Sequence, residues 1–392
     1  MPTLTLKPGK EAALQRRHPW IFSGAFVPGQ PLPEKGDWVH VADAKGRIWA
    51  TGTWNDGSIA VRVAAFSKAN NPEELVLARI QQAWKKRQRL GYGQHPDNNL
   101  FRLFFGEGDG LPGLVIDVFA DVAVVQCHDW GMYRSLDAIV RALQQLDGLA
   151  FSGIYHRSRE SLHHPEVVNG WVVGGPSIAE VRESGLQFLI EVETGQKTGF
   201  FIDQRENRRL VGRYAHGKRV LNAFSYTGGF SVHALKGGAE QVVSVDLSAP
   251  AIDLAHRNAA INQLEQAHQG VVADVFDYLK SVEYGAFDLI VLDPPAFAKS
   301  KNTSHNALQG YKRINQMALS KLAPGGLLFT FSCSQHISAE MFEGAVRAAA
   351  IESGQEAAII HRLTQPSDHP VNIFHPEGEY LKGLVLQTGG TL

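Results

Sequence analysis

Residues 220–248 read VLNAFSYTGGFSVHALKGGAEQVVSVDLS, and the pattern of this stretch decides the fold class. Val220 and Leu221 lead an apolar run into a turn at Thr227-Gly228-Gly229. Phe230 to Leu235 then has helical spacing, and Gln241 to Val245 has the composition of a buried strand closed by Asp246. Strand, glycine turn, helix and acid-tipped strand make a βαβ unit, which holds a nucleoside at the carboxyl ends of its strands. The acid at the second tip can accept both ribose hydroxyls. Asn222, Phe224 and Tyr226 stand where the G-x-G-x-x-G fingerprint requires glycine, so a pyrophosphate cradle is not expected. A cofactor without phosphates, such as S-adenosylmethionine, needs a shaped wall instead.

Bulk properties narrow the class further. With 392 residues, 44% of them hydrophobic, the chain has material for two or three domains with separate cores. No apolar run approaches a membrane span, and the opening MPTLTLKPGKEAALQRRHPW lacks the apolar core of a signal peptide. A cytoplasmic protein without a membrane partner is expected. Cys127 and Cys333, the two cysteines, exclude a disulfide framework and a cysteine zinc site. Residues 1–100 hold 14 Lys+Arg against 8 Asp+Glu, a net +6 that leaves −7 for the remainder. A basic front end points to a polyanion partner, although Lys85 to Arg89 alone reads as a solvated helix face.

Along residues 1–70, short apolar runs alternate with turns such as Asp43-Ala44-Lys45-Gly46 and Asn55-Asp56-Gly57, which predicts a small β barrel. Ahead of them, Arg16-Arg17-His18-Pro19-Trp20-Ile21-Phe22-Ser23-Gly24 interleaves cations with aromatics, the pairing that looped or single-stranded RNA requires. The string HPWIFSGA resembles that of a PUA domain, an RNA-binding module. Trp20 and Phe22 also read as core residues, with Arg16 and Arg17 as the outer contacts. Residues 71–185 read as a small α+β domain: a helix from Pro72 to about Leu90, strands Leu114–Ala120 and Val122–Cys127, and a helix from Tyr133 to Leu146. Asp109, among glycines, reads as a turn-closing residue, and Cys127 as a small buried hydrophobe.

From residue 186 to 392 the pattern is that of a Rossmann-like α/β domain with a seven-stranded sheet and an antiparallel edge. After Asp246, a helix over Ala249–Asn262 leads to a third strand ending at Asp274, whose carboxylate can accept an adenine amino group while Val275 or Phe276 walls the ring. The strand Phe287–Leu292 ends in Asp293-Pro294-Pro295, where two prolines fix the backbone so that the acid projects. A helix over Gly310–Leu322 and a strand over Leu327–Phe331 then deliver Ser332-Cys333-Ser334 at a strand tip beside Asp293. A thiol there has a chemical use. Cytosine C5 is a poor nucleophile, and a thiolate adding to C6 converts it into an enamine carbon able to attack a sulfonium methyl group. Asp293 near N3 can stabilise the ring charge that develops.

Taken together, HPWIFSG, GQKTGFFIDQR, NAFSYTGGFSV, VSVDLS, DPPAFAKSK, GYKRIN and FSCS resemble the bacterial 23S ribosomal RNA (cytosine-C5) methyltransferase family, large-subunit methyltransferase I, over nearly the whole length. The resemblance implies a class I methyltransferase fold behind a PUA domain, S-adenosylmethionine as cofactor and 23S ribosomal RNA as partner, with a homodimer among the open oligomeric states. It implies Cys333 as nucleophile and Asp293 as the group at the base. Phe201, Asp203, Gln204 and Arg205, with Lys197, are cofactor candidates from the loop ahead of the βαβ unit. Asn222, Phe224, Tyr226, Thr227, Gly228, Gly229, Asp246, Leu247, Ser248, Asp274, Val275, Phe276, Asp293 and Pro294 are candidates from the strand tips. Arg16, Arg17, Trp20, Lys299 and Lys312 are the RNA candidates. Many RNA cytosine-C5 methyltransferases carry a second cysteine after the proline pair, where this chain has Ala296, so the acceptor of the C5 proton is open among Asp293, Lys299 and water. Two other readings stand: methylation of a base nitrogen without covalent catalysis, and an RNA-binding assembly factor with an inactive fold. No metal is expected, since His369 and His375 lack ligand spacing.

Overall fold

The computed structural model describes residues 1–175, 179–297 and 304–391. The chain divides into two compact units: the first holds residues 1–182, 190–202 and 367–378, and the second holds 183–189, 203–366 and 379–392.

Five short strands open the first unit: β1 (Thr3–Thr5), β2 (Trp20–Phe22), β3 (Trp38–Ala42), β4 (Ile48–Trp54) and β5 (Ile59–Ala65), in the sheet order β1-β3-β4-β5-β2. Their inward residues, among them Leu4, Ile21, Val39, Val41, Ala50, Val61 and Val63, make a core of their own. The following helix, Pro72–Arg89, is started by Asn71, whose side chain accepts the N–H groups of Glu73 and Glu74. Acids in its first turn and bases in its last complement the helix dipole. Arg87 departs from the expected solvated face. It is buried, donates to Asp109 Oδ2 at 2.6 Å and reaches the Arg102 and Asp368 carbonyls. Asp109 also accepts the Phe105 N–H, so it closes its turn as expected while neutralising a buried cation.

A second sheet, β6 (Leu100–Phe105), β7 (Leu114–Phe119), β8 (Val122–Cys127), β9 (Gly153–His156) and β10 (Gly170–Val173), runs in the order β10-β9-β8-β7-β6. Ile80 and Trp84 of the helix pack with Phe101, Phe104, Ile116 and Ile139 in its core. The helix expected over Tyr133–Leu146 is two, Trp130–Arg134 and Leu136–Gln144. At the break, Ser135 Oγ donates to the Gly131 carbonyl at 2.7 Å, the local competition through which serine interrupts helices. A hairpin, β11 (Ala179–Glu183) with β12 (Leu186–Ile190), follows.

The second unit is built on seven strands: β13 (Arg219–Ala223), β14 (Gln241–Asp246), β15 (His268–Val272), β16 (Phe287–Leu292), β17 (Leu322–Ser332), β18 (Gln355–Leu363) and β19 (Lys382–Thr391). Their order is β15-β14-β13-β16-β17-β19-β18. The first five pair in parallel, and the chain reverses its direction of travel across the sheet between β13 and β16. That is the switch point at which open α/β sheets bind ligands. Alternate residues feed two cores. Leu221, Ile290 and Leu328 face one with Tyr311, Ile314 and Phe342, while Val220, Leu289, Val291 and Phe329 face the other with Val211 and Phe230. Each such large side chain contributes about 1.5–3 kcal/mol on burial, which explains why these strands read as continuous apolar runs.

Three local expectations change. The antiparallel strand is not the edge: β19 lies between β17 and β18 and runs antiparallel to both. β17 starts at Leu322 rather than Leu327, its Ala323-Pro324-Gly325-Gly326 segment absorbed where the register against β16 shifts between Phe287 and Leu289. β15 ends at Val272, two residues before Asp274.

Candidate active site

Beyond β13 the backbone turns through Phe224 and Tyr226, both left-handed, with φ of 59° and 45°. Such a conformation costs an L-residue about 1–2 kcal/mol. The turn is held in it: Ser225 N–H donates to the Val245 carbonyl at 3.0 Å, Gly228 N–H to the Ser225 carbonyl at 2.9 Å, and Asn258 Nδ2 to the Thr227 carbonyl at 2.9 Å. Gly228, at φ +78°, precedes the helix Gly229–Lys236, and a Cβ there would lie 2.8 Å from that of Ala255. The residues that break the dinucleotide fingerprint are thus the ones that shape this loop.

Asp246 stands at the tip of β14. Its Oδ2 accepts the Tyr226 N–H and its Oδ1 the Ser248 N–H, both at 2.9 Å. A carboxylate offers about four acceptor positions, so each oxygen keeps capacity for a hydroxyl. Leu247 beside it is 74% exposed, and Ser248 Oγ caps the helix Ala249–Ile261. Two hydroxyl acceptors, an apolar neighbour and no phosphate nest fit a nucleoside carrying a sulfonium rather than a dinucleotide.

Asn222 is corrected as a side-chain contact. It is buried, and its Nδ2 donates to Ser231 Oγ at 2.8 Å in a chain that runs through Ser244 to His268 Nε2. Burial holds the His268 imidazole down to about 4. Asp274 is a helix cap, the role judged weaker from sequence: its Oδ1 accepts Phe276 N–H at 2.8 Å and Asp277 N–H at 3.2 Å. Val275 lies inside the core and cannot wall a ligand, whereas Phe276 is half-buried with the Arg313 guanidinium 5.4 Å from its ring centre.

The candidate catalytic groups lie at the neighbouring tips of β16 and β17. Leu292 pairs with Thr330, so Asp293-Pro294 and Cys333 leave adjacent parallel strands at the same end of the sheet. Asp293 and Cys333 are partly exposed, and Pro294 is buried. Behind them, Tyr311 of the helix Ser304–Leu319 packs with its ring tilted against that of Phe297, centres 4.8 Å apart, and accepts the Ser332 hydroxyl at 2.9 Å. Burial, opposed by the Ser332 bond and reinforced by the charges of Cys333 and Asp293, pushes its phenol up to about 12. Lys382 completes the group, and sequence reasoning missed it. It pairs in register with Ser332 from β19, is buried, and donates from Nζ to the Ser334 carbonyl at 2.6 Å. Burial lowers its pKa, while negative charge on Cys333 and Glu379 raises it. The available signal was a lone lysine inside the apolar run YLKGLVL.

Other candidates fall elsewhere. Asp203 accepts the Tyr380 hydroxyl at 2.5 Å, Gln204 accepts Asn207 Nδ2 at 2.6 Å, and Arg205 lies 3.9 Å from Glu206. All three are buried, with these internal contacts. Nearby, Glu183 takes two 2.6 Å bonds from Arg208 and one of 2.9 Å from His233. Lys312 pairs with Glu352 at 2.9 Å, and Lys299 lies outside the described residues. Cys127 is buried as expected, its thiol pushed up to about 12 by burial. In the first unit, Phe201 is half-buried with the Lys197 ammonium 4.2 Å over its ring. Arg16 and Arg17 are exposed; Trp20 is half-buried and donates from Nε1 to Glu107 at 2.8 Å. Phe22 is 53% exposed, which overturns its core reading.

Comparison with known proteins agrees with this geometry. Residues 101–378 match the family described as S-adenosylmethionine-dependent methyltransferase, and residues 4–66 match a PUA-like domain. Ribosomal RNA large subunit methyltransferase I of Aeromonas salmonicida is 42% identical over 391 residues, covering 97% of each chain. The protein of the same name from Salmonella enteritidis is 40% identical over 392 residues, covering 97% of this chain and 96% of that one. Among solved structures, SMU.776 in complex with SAH superposes with a TM-score of 0.84 at 25% identity, over 99% of this chain and all of that one. The tRNA m1G37 methyltransferase of M. jannaschii, at 16% identity and a TM-score of 0.50 over 75% of this chain and 77% of that one, shares the fold alone.

Proposed function

The chain belongs to the ribosomal RNA large subunit methyltransferase I family of S-adenosylmethionine-dependent methyltransferases, and from that premise we propose that it methylates C5 of a cytosine in 23S ribosomal RNA through a transient bond from Cys333 to C6. The observation that carries the reading is the adjacency of Cys333 and Asp293 at neighbouring strand tips, backed by the buried Lys382.

S-adenosylmethionine, when bound, supplies an electrophilic methyl group; Asp246 would hold its ribose, with Leu247 and Phe276 as apolar surface. The residues of the chain do the rest. The buried ammonium of Lys382 favours the thiolate of Cys333, whose proton leaves to solvent. The thiolate adds to C6, and the electron pair displaced from the C5–C6 bond makes C5 nucleophilic. Asp293, in its protonated form, donates its proton to the N3 edge and so offsets the negative charge that develops on the ring. Once C5 carries its methyl group, loss of the C5 proton to a base drives the electron pair back into the ring and expels the Cys333 thiolate. Arg16, Arg17 and Trp20 would contact RNA from the PUA-like domain.

Mass analysis of nucleosides from RNA methylated in vitro tests the reading. 5-methylcytidine is expected, and a methyl on nitrogen would sink it in favour of the non-covalent alternative. RNA containing 5-fluorocytidine should form a denaturant-resistant complex with the wild type and none with Cys333→Ala. An inability to bind S-adenosylmethionine would favour an inactive assembly factor.

A further inference from the structure

Away from the strand tips, His18, His375 and Glu377 converge within the first unit. His18 Nε2 lies 3.7 Å from Glu377 Oε1, and His375 Nε2 lies 3.8 Å from Glu377 Oε2. The two rings are 5.4 Å apart, and one donor atom from each of the three residues lies within 4.8 Å of the others. Chain distance conceals the group: His18 directly precedes the Pro19-Trp20 step into β2, while His375 and Glu377 bracket Pro376 in a short helical turn.

His375 supplies an independent sign that something belongs there. It is 3% exposed, and neither of its ring nitrogens has a hydrogen-bond partner among the described residues. Trp20 covers it, ring centres 4.4 Å apart. A buried polar atom left unsatisfied destabilises the fold, a cost that a ligand on the imidazole would remove. Burial favours the neutral ring, the form that ligates; the charges of Glu107 and Glu377 act against this, and His18 and Arg62 act with it.

We propose that His18, His375 and Glu377 form a binding site for a divalent transition metal, with zinc as the expected ion. Two neutral imidazoles and one carboxylate are a zinc donor set, leaving a fourth position for water. Bond lengths of about 2.0–2.1 Å in a tetrahedron require donor atoms about 3.3 Å apart, so the three donor atoms, which lie within 4.8 Å of one another, must close up on the ion. The Glu377 side chain, which meets the two histidines through different oxygens, is 54% exposed and can move to supply its share. Ligation through His18 Nε2 requires the tautomer in which Nδ1 is protonated and donates to the Trp20 carbonyl, 3.4 Å away. That outer bond selects the ligating tautomer. The competing arrangement, in which Nδ1 accepts the Trp20 N–H at 3.1 Å, places the proton on Nε2, and metal binding must reverse it. Glu107 adds negative charge while Arg62, 3.6 Å from it, offsets part of that charge. Such a metal would staple the segment carrying His375 to the strand carrying Trp20 inside one unit.

The test uses the full chain, without an affinity tag, stripped with chelator and titrated calorimetrically with zinc chloride; cobalt(II) chloride gives an absorption spectrum of the same site. One equivalent is expected, with a rise in Tm on zinc addition. His375→Gln and His18→Gln should each abolish that equivalent, Glu377→Gln should weaken it at least about ten-fold, and His95→Gln, on an exposed residue, should leave it intact. If His375→Gln does not fold by circular dichroism, His18→Gln decides. Stoichiometric zinc binding that survives both histidine substitutions, or no zinc binding by the wild type, overturns the proposal.

Discussion

The Nζ of Lys382 donates a 2.6 Å hydrogen bond to the carbonyl of Ser334, from the position on β19 that pairs with Ser332. Cys333 is thereby bracketed by the two residues that Lys382 engages. Replacing the ammonium with an isosteric apolar chain, Lys382→Met, should remove the positive charge that favours the thiolate. Methyl transfer at neutral pH is expected to fall at least about ten-fold, a loss of about 1.4 kcal/mol. The rising limb of the pH–rate profile should also move to higher pH, because a larger fraction of the enzyme then holds thiol. Rates of iodoacetamide alkylation at Cys333 across the same pH range check the assignment without substrate.

Asp246 holds the loop through Tyr226 and would hold the ribose through its remaining acceptor positions. Asp246→Asn removes the charge and turns one acceptor into a donor. A charge-assisted hydrogen bond contributes about 1.5–3 kcal/mol, so the Kd for S-adenosylmethionine should rise roughly 10- to 100-fold. Isothermal titration of the folded variant measures it.

Gly228→Ala tests the strained turn from the other side. The backbone is left-handed there, and the added carbon meets Ala255 at 2.8 Å. A loss of about 1–3 kcal/mol in unfolding free energy is expected, read by urea denaturation, together with weaker cofactor binding.

Acid sensitivity should come from buried groups of the second unit. Both His268 and Glu183 have folded pKa values below their unfolded ones, the first because of burial, the second because the Arg208 and His233 partners outweigh burial. A group depressed in this way contributes stability above its unfolded pKa and loses it as pH falls toward the folded value. For His268 the window runs from 6.5 down to about 4; for Glu183 it begins at 4.5 and extends below. Tm measured across this range should fall in two stages. His268→Gln should flatten the first, and Glu183→Gln, which leaves Arg208 buried without its carboxylate, should cost about 3–5 kcal/mol at neutral pH.

Much of this was legible in the linear chain wherever the signal was local. The apolar runs of β13, β14 and β16 and the glycine turn fell at their expected places because period and turn chemistry fix them. The placement of Cys333 and Asp293 just beyond two strands was legible because strand tips can be read from the ends of apolar runs. What escaped depended on contacts distant in sequence. Asp274 looks the same in sequence whether it caps a helix or faces a ligand, and its role as a cap shows only once β15 is seen to end at Val272. Arg87 sits in a basic run that resembles a solvated face until Asp109 and the Asp368 carbonyl are brought to it. Lys382 has no motif; its meaning comes from the strand it pairs with. His18 and His375 are separated by nearly the whole chain, so no ligand spacing could announce them.

The placement of β19 has a consequence for synthesis. It is the latest of the seven strands to leave the ribosome, yet its slot is between β17 and β18. Until it emerges, β17 stands as an open edge, and the thiol at its tip has no amine beside it. If Cys333 is the nucleophile, as proposed, a nascent chain lacks the group that arms it, and reactivity would switch on only when the sheet closes.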